Sequence, residues 1–397
     1  MTRSRRFGVA AMWLAGTLAF SVPGARAEEG EDAQLRLRPS LEISTVADDN
    51  PAFADAAADW VAGTWLYPRL ELSYRTPAIE VGADVGAEVR RALGGSSLDA
   101  ELYHVSGFAE AGLLPGLSVR LSDAFVPKPR WLGLPSDDSR NLLQTHRSEL
   151  VIRFWRELPA ARELEVGVVG TYFTSEAFAA VVATPGGGTA VDPDFRADFG
   201  QGAAFLELQS PVGRHTSATL LGQVGYRSFA DAARSDHVNA SVLMGLRSRR
   251  FGNAQLDIAV GYGLLAFEAH GNEHALLGNA SLRYQLSPSW SGFITLVNEF
   301  SSNLAGNEVV QASGRAGLES YFGERTGASI SAFVSRFEDP VLNRDESVYG
   351  GAELELWRAL TRHTRLSLAY RYWRNGGDAA VDSFGQNRVV LQFRYRL

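Results

Sequence analysis

Residues 78–90 read AIEVGADVGAEVR. Ile79, Val81, Ala83, Val85, Ala87 and Val89 occupy every second position, and Glu80, Asp84 and Glu88 fall between them. A helix would spread these residues around its circumference, whereas a strand puts them on opposite faces. The run is far longer than the five or six residues of an ordinary soluble strand. The same alternation recurs along the chain. Leu35, Leu37, Pro39, Leu41 and Ile43 oppose Arg36, Arg38, Ser40 and Glu42. Leu150, Ile152 and Phe154 oppose Glu149 and Arg153, and Leu366, Leu368, Tyr370 and Tyr372 oppose Arg365 and Arg371.

The connections carry a second signal. Short turns are expected at Arg75-Thr76-Pro77, Pro115-Gly116, Leu158-Pro159-Ala160, Pro211-Val212-Gly213, Phe251-Gly252-Asn253, Ser287-Pro288-Ser289, Gly323-Glu324-Arg325 and Leu360-Thr361-Arg362. Between them lie mostly longer connections rich in Gly, Asp and Asn, such as 47–58, 127–142, 179–194 and 375–386. Short periplasmic turns alternating with long external loops are the habit of outer-membrane barrels. The pattern predicts an all-β chain, a transmembrane antiparallel up-and-down β-barrel of about 18 strands with both termini periplasmic.

Composition fits. The 397 residues contain no cysteine, which excludes disulfides, thiolate metal sites and a cysteine nucleophile. Arg3, Arg5 and Arg6 precede an apolar stretch, Phe7 to Phe20, and Ala25-Arg26-Ala27 is a small-x-small cleavage site. Residues 1–27 therefore read as a cleaved signal peptide and 28–397 as the barrel. Cleavage removes four arginines and no acids, taking the formal net charge from −7 to −11. An acidic mature chain argues against a nucleic-acid partner. Outer-membrane lipid is the expected surroundings. Only Glu28 to Gln34 precede the first expected strand, too few for the plug of a driven transporter.

The last ten residues, RVVLQFRYRL, place Val389, Leu391, Phe393, Tyr395 and Leu397 on one face. This resembles the terminal strand by which the barrel-assembly machinery recognises its clients, with Leu397 where phenylalanine is usual and Phe393 and Tyr395 in the same row. Near the other end, residues 39–53 read PSLEISTVADDNPAF. Pro39, Ser40, Leu41, Asp48, Asp49, Asn50 and Phe53 resemble the opening of the β-barrel porin 2 family, although the tyrosine often found before the acidic pair is replaced by Val46-Ala47. The resemblance implies a channel that serves exopolysaccharide (capsule or slime) export across the outer membrane together with periplasmic export proteins. A general diffusion porin for small hydrophilic solutes is the alternative, and Asp48-Asp49-Asn50-Pro51 is by itself a good loop former.

About 18 strands enclose a water-filled channel rather than a packed interior. Inward positions carry many arginines and acids, which read either as a solvated wall of neighbouring ion pairs or as something more selective. When the last strand pairs with the first, Arg36 and Arg38 approach Arg394 and Arg396, with Arg365, Arg371 and Arg388 close by. A basic lumen stripe would then face an acidic one at Glu80, Asp84 and Glu88, and could guide an anionic glycan. The 127–142 loop is expected either to project outward or to fold inward, with Lys128, Arg130, Asp137 and Asp138 at a constriction. Trp65, Tyr67, Trp131, Trp155, Trp290, Trp357, Tyr370, Tyr372 and Trp373 lie near expected strand ends and read as interfacial girdles, few of them pointing inward. The seven histidines show no metal-ligand spacing, and no G-x-S-x-G or H-E-x-x-H motif appears. An outer-membrane barrel enzyme, a cofactor and a metal are therefore not expected.

Overall fold

A computed structural model of the chain describes residues 33–49, 60–93, 100–129, 142–177, 196–230, 235–251, 253–268, 271–302, 308–339, 344–376 and 384–397. The expected signal peptide lies outside the described residues. Eighteen strands follow one another: β1 Gln34–Asp48, β2 Val61–Arg75, β3 Ile79–Ala92, β4 Ala100–Leu114, β5 Leu117–Pro129, β6 Leu142–Leu158, β7 Arg162–Ala177, β8 Arg196–Pro211, β9 Thr216–Phe229, β10 His237–Phe251, β11 Ala254–Phe267, β12 Gly271–Ser287, β13 Trp290–Ser302, β14 Glu308–Tyr321, β15 Thr326–Asp339, β16 Arg344–Ala359, β17 Thr364–Gly376 and β18 Phe384–Arg396.

Each strand pairs antiparallel with the next, and β18 pairs with β1, so the sheet closes without an edge. Closure is what allows a sheet to satisfy its backbone groups inside lipid. The short connections fall where expected. Pro115-Gly116 turns β4 into β5 with Gly116 at φ +80°, a conformation that side chains with a Cβ rarely adopt.

Register fixes two faces. The row containing Leu37, Met244 and Leu276 points outward, and these three side chains are 60%, 66% and 67% exposed. Apolar side chains so displayed suit lipid and would be a liability in water. Phe393 and Tyr395 of β18 belong to this outward row, opposite Ile43 and Leu41 of β1. The other row faces the lumen and carries the charges.

At the seam β1 overshoots: Ser40 pairs with Arg396, so residues 34–38 pair with β2 alone. The loop-end side of the seam is fastened by the acidic pair of the opening motif. Gln386 donates to Asp48 at 2.6 Å, and Asn387 donates to Asp49 from its backbone nitrogen at 2.6 Å and from its side chain at 2.7 Å. Pro39, Ser40 and Leu41 sit at the opposite end of that seam, where the Leu397 nitrogen donates to the Pro39 carbonyl at 3.2 Å. Asn50 and Phe53 lie outside the described residues.

Candidate functional site

The inner wall is the candidate site. Charges alternate along each strand with the lumen period, and antiparallel register brings opposite signs side by side. Arg153 meets Glu165 at 2.9 Å, Arg247 meets Asp257 at 2.9 Å, and Arg283 meets Glu319 at 2.7 Å. Arg315 and Arg371 both reach Glu353, at 3.5 Å and 2.6 Å. These side chains are partly solvated, so each pair adds little stability. Their effect is to hold fixed charges of both signs against the wall.

The expected basic stripe divides into three parts. Arg365, Arg371, Arg394 and Arg396 are bound to Glu355, Glu353, Glu42 and Glu71. Arg388 is only 4% exposed, and its guanidinium lies 4.7 Å from the Trp65 ring centroid. Arg36 and Arg38 stand exposed at the turn mouth, where Arg36 donates to Gln34. The acidic row at Glu80, Asp84 and Glu88 does not face this stripe across the pore. It sits on β3, two strands from β1, and is itself paired, Asp84 with Arg69, Glu88 with Arg90 and Glu80 with Arg75. Adjacent rows neutralise each other instead of setting up a transverse field. Lys128 is the next-to-last residue of β5, while Arg130, Asp137 and Asp138 lie outside the described residues.

The aromatic residues correct a second expectation. Trp65, Tyr67, Trp155, Trp357 and Trp373 share the parity of the lumen charges and point inward. Trp290, Tyr370 and Tyr372 keep to the outer face, and Trp131 lies outside the described residues. Several inward rings, Phe205 over Gly167 among them, lie over a register-paired glycine of the neighbouring strand, and three of these carry an arginine. Phe108 covers Gly82, Phe293 covers Gly317, and Trp357 covers Gly327. An arginine then stacks on each ring: Arg120 at 4.2 Å from the Phe108 centroid, Arg365 at 4.5 Å from Trp357 and Arg315 at 6.0 Å from Phe293. Glycine thus lets a large ring lie flat, and the lumen receives a guanidinium edge rather than a projecting aromatic. The signal was legible in part, because Trp65 and Tyr67 continue the row of Arg69 and Glu71.

Toward the loop end the inner wall of β7 to β11 is lined by rings, with the Arg227 guanidinium 4.5 Å from the Phe199 centroid. Phe173, Phe199, Phe229, His237 and Phe267 form a ladder across β7 to β11, with successive centroids 4.9, 5.8, 5.9 and 5.2 Å apart. Nearer the seam, a recess of about 320 Å³ opens beside Tyr67, Arg69, Glu88 and His104. The Tyr67 hydroxyl and His104 Nδ1 are 2.8 Å apart there. Among the described residues no group of histidine and acidic side chains is arranged to hold a metal.

No family model matches the chain, and neither does any curated protein. Solved structures do. The outer membrane protein OpdK of Pseudomonas aeruginosa aligns at a TM-score of 0.51 and 14% identity, covering 91% of this chain and 99% of its own. OpdK solved with vanillate gives 0.50 and 13% over the same shares. P. aeruginosa OpdQ gives 0.50 and 10%, covering 93% of this chain and all of its own. At such identities the likeness is one of fold. With the apolar outer surface and the closed ring of 18 strands, it settles the architecture and its location.

The chain is an outer-membrane β-barrel.

Proposed function

We propose that this barrel is a channel, a porin for small hydrophilic solutes. The observation carrying this reading is the construction of the inner wall. Eighteen strands enclose a space wide enough for water, rings are laid flat over glycine, and charged groups are tied to the wall in pairs. Mixed, paired charge favours passage of polar solutes of either sign. The excess of basic groups at the turn mouth, where Arg36 and Arg38 stand exposed, adds a mild preference for anions. Exopolysaccharide export, the role implied by the β-barrel porin 2 resemblance, gains no support: no family model matches, and the aligned structures concern other proteins. The diffusion reading fits better.

Insertion would proceed through the C-terminal strand and the barrel-assembly machinery, after removal of residues 1–27. The test is conductance of purified protein in planar bilayers, paired with swelling of proteoliposomes in sugars of increasing size. Stepwise conductance with a sharp size cutoff is expected. Folded protein that inserts yet passes neither ions nor sugars would overturn the proposal.

A further inference from the structure

The ladder between β12 and β13 stops short. Its last rung joins Gly278 to Asn298, although β12 reaches up to Gly271 and β13 to Ser302. Where β13 leaves its neighbour, the Asn298 side chain donates to the Leu276 carbonyl. Beyond that point β13 stays paired with β14, Glu299 with Gln311, Phe300 with Val310 and finally Ser302 with Glu308. The top of this hairpin is therefore a closed ladder with two faces. Phe300 belongs to the outward row of Ile294 and Leu296, and Glu299 to the lumen row of Phe293 and Thr295. Phe300 nevertheless lies against the inner wall. A Cβ on Gly263 would fall 2.9 Å from the Phe300 Cζ and 2.6 Å from Leu277 Cδ1, so both side chains fill the space over that glycine. Gly263 of β11 and Leu277 of β12 are lumen-row residues, in phase with Asp257 and Ser281. The outer face of the hairpin top meets the inner face of its neighbours because the top bends into the lumen. Burial agrees. Leu277 is 5% exposed and Leu265 0%, although both point to the channel side.

With Phe300 against the wall, Glu299 on the opposite face is turned toward the channel axis. Among the described residues it makes no ion pair and no hydrogen bond. That sets it apart from the lumen acids below it. Asp257 holds Arg247, Glu319 holds Arg283, and Glu353 holds both Arg315 and Arg371. Arg315 is the only cation on β13 and β14, and it is committed to Glu353 and to Ser331 at 3.0 Å. A paired charge is largely cancelled at the distance of a passing ion, whereas an unpaired one is felt in full. We infer that the inward top of the β13–β14 hairpin narrows the channel near its loop end, and that Glu299 is the specificity-determining residue there, favouring small cations. This rests on the channel reading above and names the solutes that the narrow point prefers. Low-dielectric walls focus the field of a fixed charge, so a carboxylate at a constriction draws cations in and turns anions away. Arg36 and Arg38 act with the opposite sign at the turn mouth. The two sites stand in series along the pore, the acid near one end and the bases at the other.

The test is the reversal potential of the full mature chain in planar bilayers under a KCl gradient, with folding verified by heat-modifiable migration. E299Q should lower the potassium-to-chloride permeability ratio about twofold or more, the weight of one unit charge roughly 10 Å from a passing ion in water. The chain has no cysteine, so E299C offers a single thiol to methanethiosulfonate reagents added to the bath. A reagent carrying a sulfonate should return the ratio toward the wild-type value. One carrying a trimethylammonium group should drive it further toward chloride, and both should reduce the single-channel current. Opposite shifts from two adducts of similar size report charge at the constriction, which a merely structural role would not produce. An unchanged ratio in E299Q, or a thiol at position 299 that neither reagent reaches, overturns the inference while open channels leave the porin reading standing. Wild-type protein that inserts without conducting overturns both.

Discussion

Placing a single carbon behind the lumen rings tests how the channel is kept open. A Cβ built on Gly82 would fall 2.3 Å from Phe108 Cε1, and one on Gly327 would fall 2.5 Å from Trp357 Cζ2. Carbon atoms rest at about 3.5–4.0 Å, so the Phe108 ring must retreat by roughly 1.2–1.7 Å and the Trp357 ring by roughly 1.0–1.5 Å. The wall behind the ring is hydrogen-bonded backbone and cannot yield. The free direction is the lumen, and moving there dislodges Arg120 from Phe108 and Arg365 from Trp357. The triple variant G82A/G317A/G327A should therefore show lower single-channel conductance and a lower unfolding temperature in detergent, each site costing about 1–3 kcal/mol. Three raised rings also loosen three stacked arginines, so open-channel noise should increase. Wild-type conductance with an unchanged unfolding temperature would refute the claim that glycine makes room for these rings.

The seam should be the barrel's weak line when its acids are removed. D48A/D49A deletes the acceptors for Gln386 and Asn387, and should cost about 1–3 kcal/mol per buried bond lost, seen as an earlier heat-modifiability transition. E42Q/E71Q removes two negative charges from the grip on Arg394 and Arg396, and the reversal potential in a salt gradient should move toward anion selectivity. Asp236, just ahead of β10, accepts a hydrogen bond from the Phe229 nitrogen at 2.9 Å and others from Ser228 and Tyr226. These bonds, the backbone one foremost, hold its carboxyl below the ordinary range. A depressed pKa adds stability that is complete above the unfolded value of about 3.9 and fades as pH falls through the folded value. Protection of the Phe229 amide from hydrogen exchange should follow that acid limb, and D236N should lack it.

Much of this fold was open to reading because a barrel writes its two solvents into alternate residues. Leu150, Ile152 and Phe154 declare the outer face, and Glu149 and Arg153 the inner one. Register was not legible. Period two tells which face a residue occupies but not its height on the neighbouring strand, and the stagger of a closed sheet accumulates around the ring. That is why Arg396 meets Glu71 of β2, and why the acidic row of β3 stands beside the basic residues. The inward tryptophans were obscured for a different reason. Their nearness to strand ends suggested a girdle, while their phase with Arg69, Glu71 or Glu355 placed them in the lumen.

The overshoot at the seam has a topological consequence. Leu397 is bonded to Pro39, and Gln34 lies five residues farther along the same edge, a span of about 17 Å at extended-chain rise. A flexible linker of several residues could therefore join the two ends, and the chain could be reopened at the exposed turn Gly323-Glu324-Arg325, with every rung of the ladder retained. Such a circular permutant would begin its synthesis at a different strand and still arrive at the same ring. What the barrel preserves is the cyclic order of its strands, not the point at which the ribosome enters it.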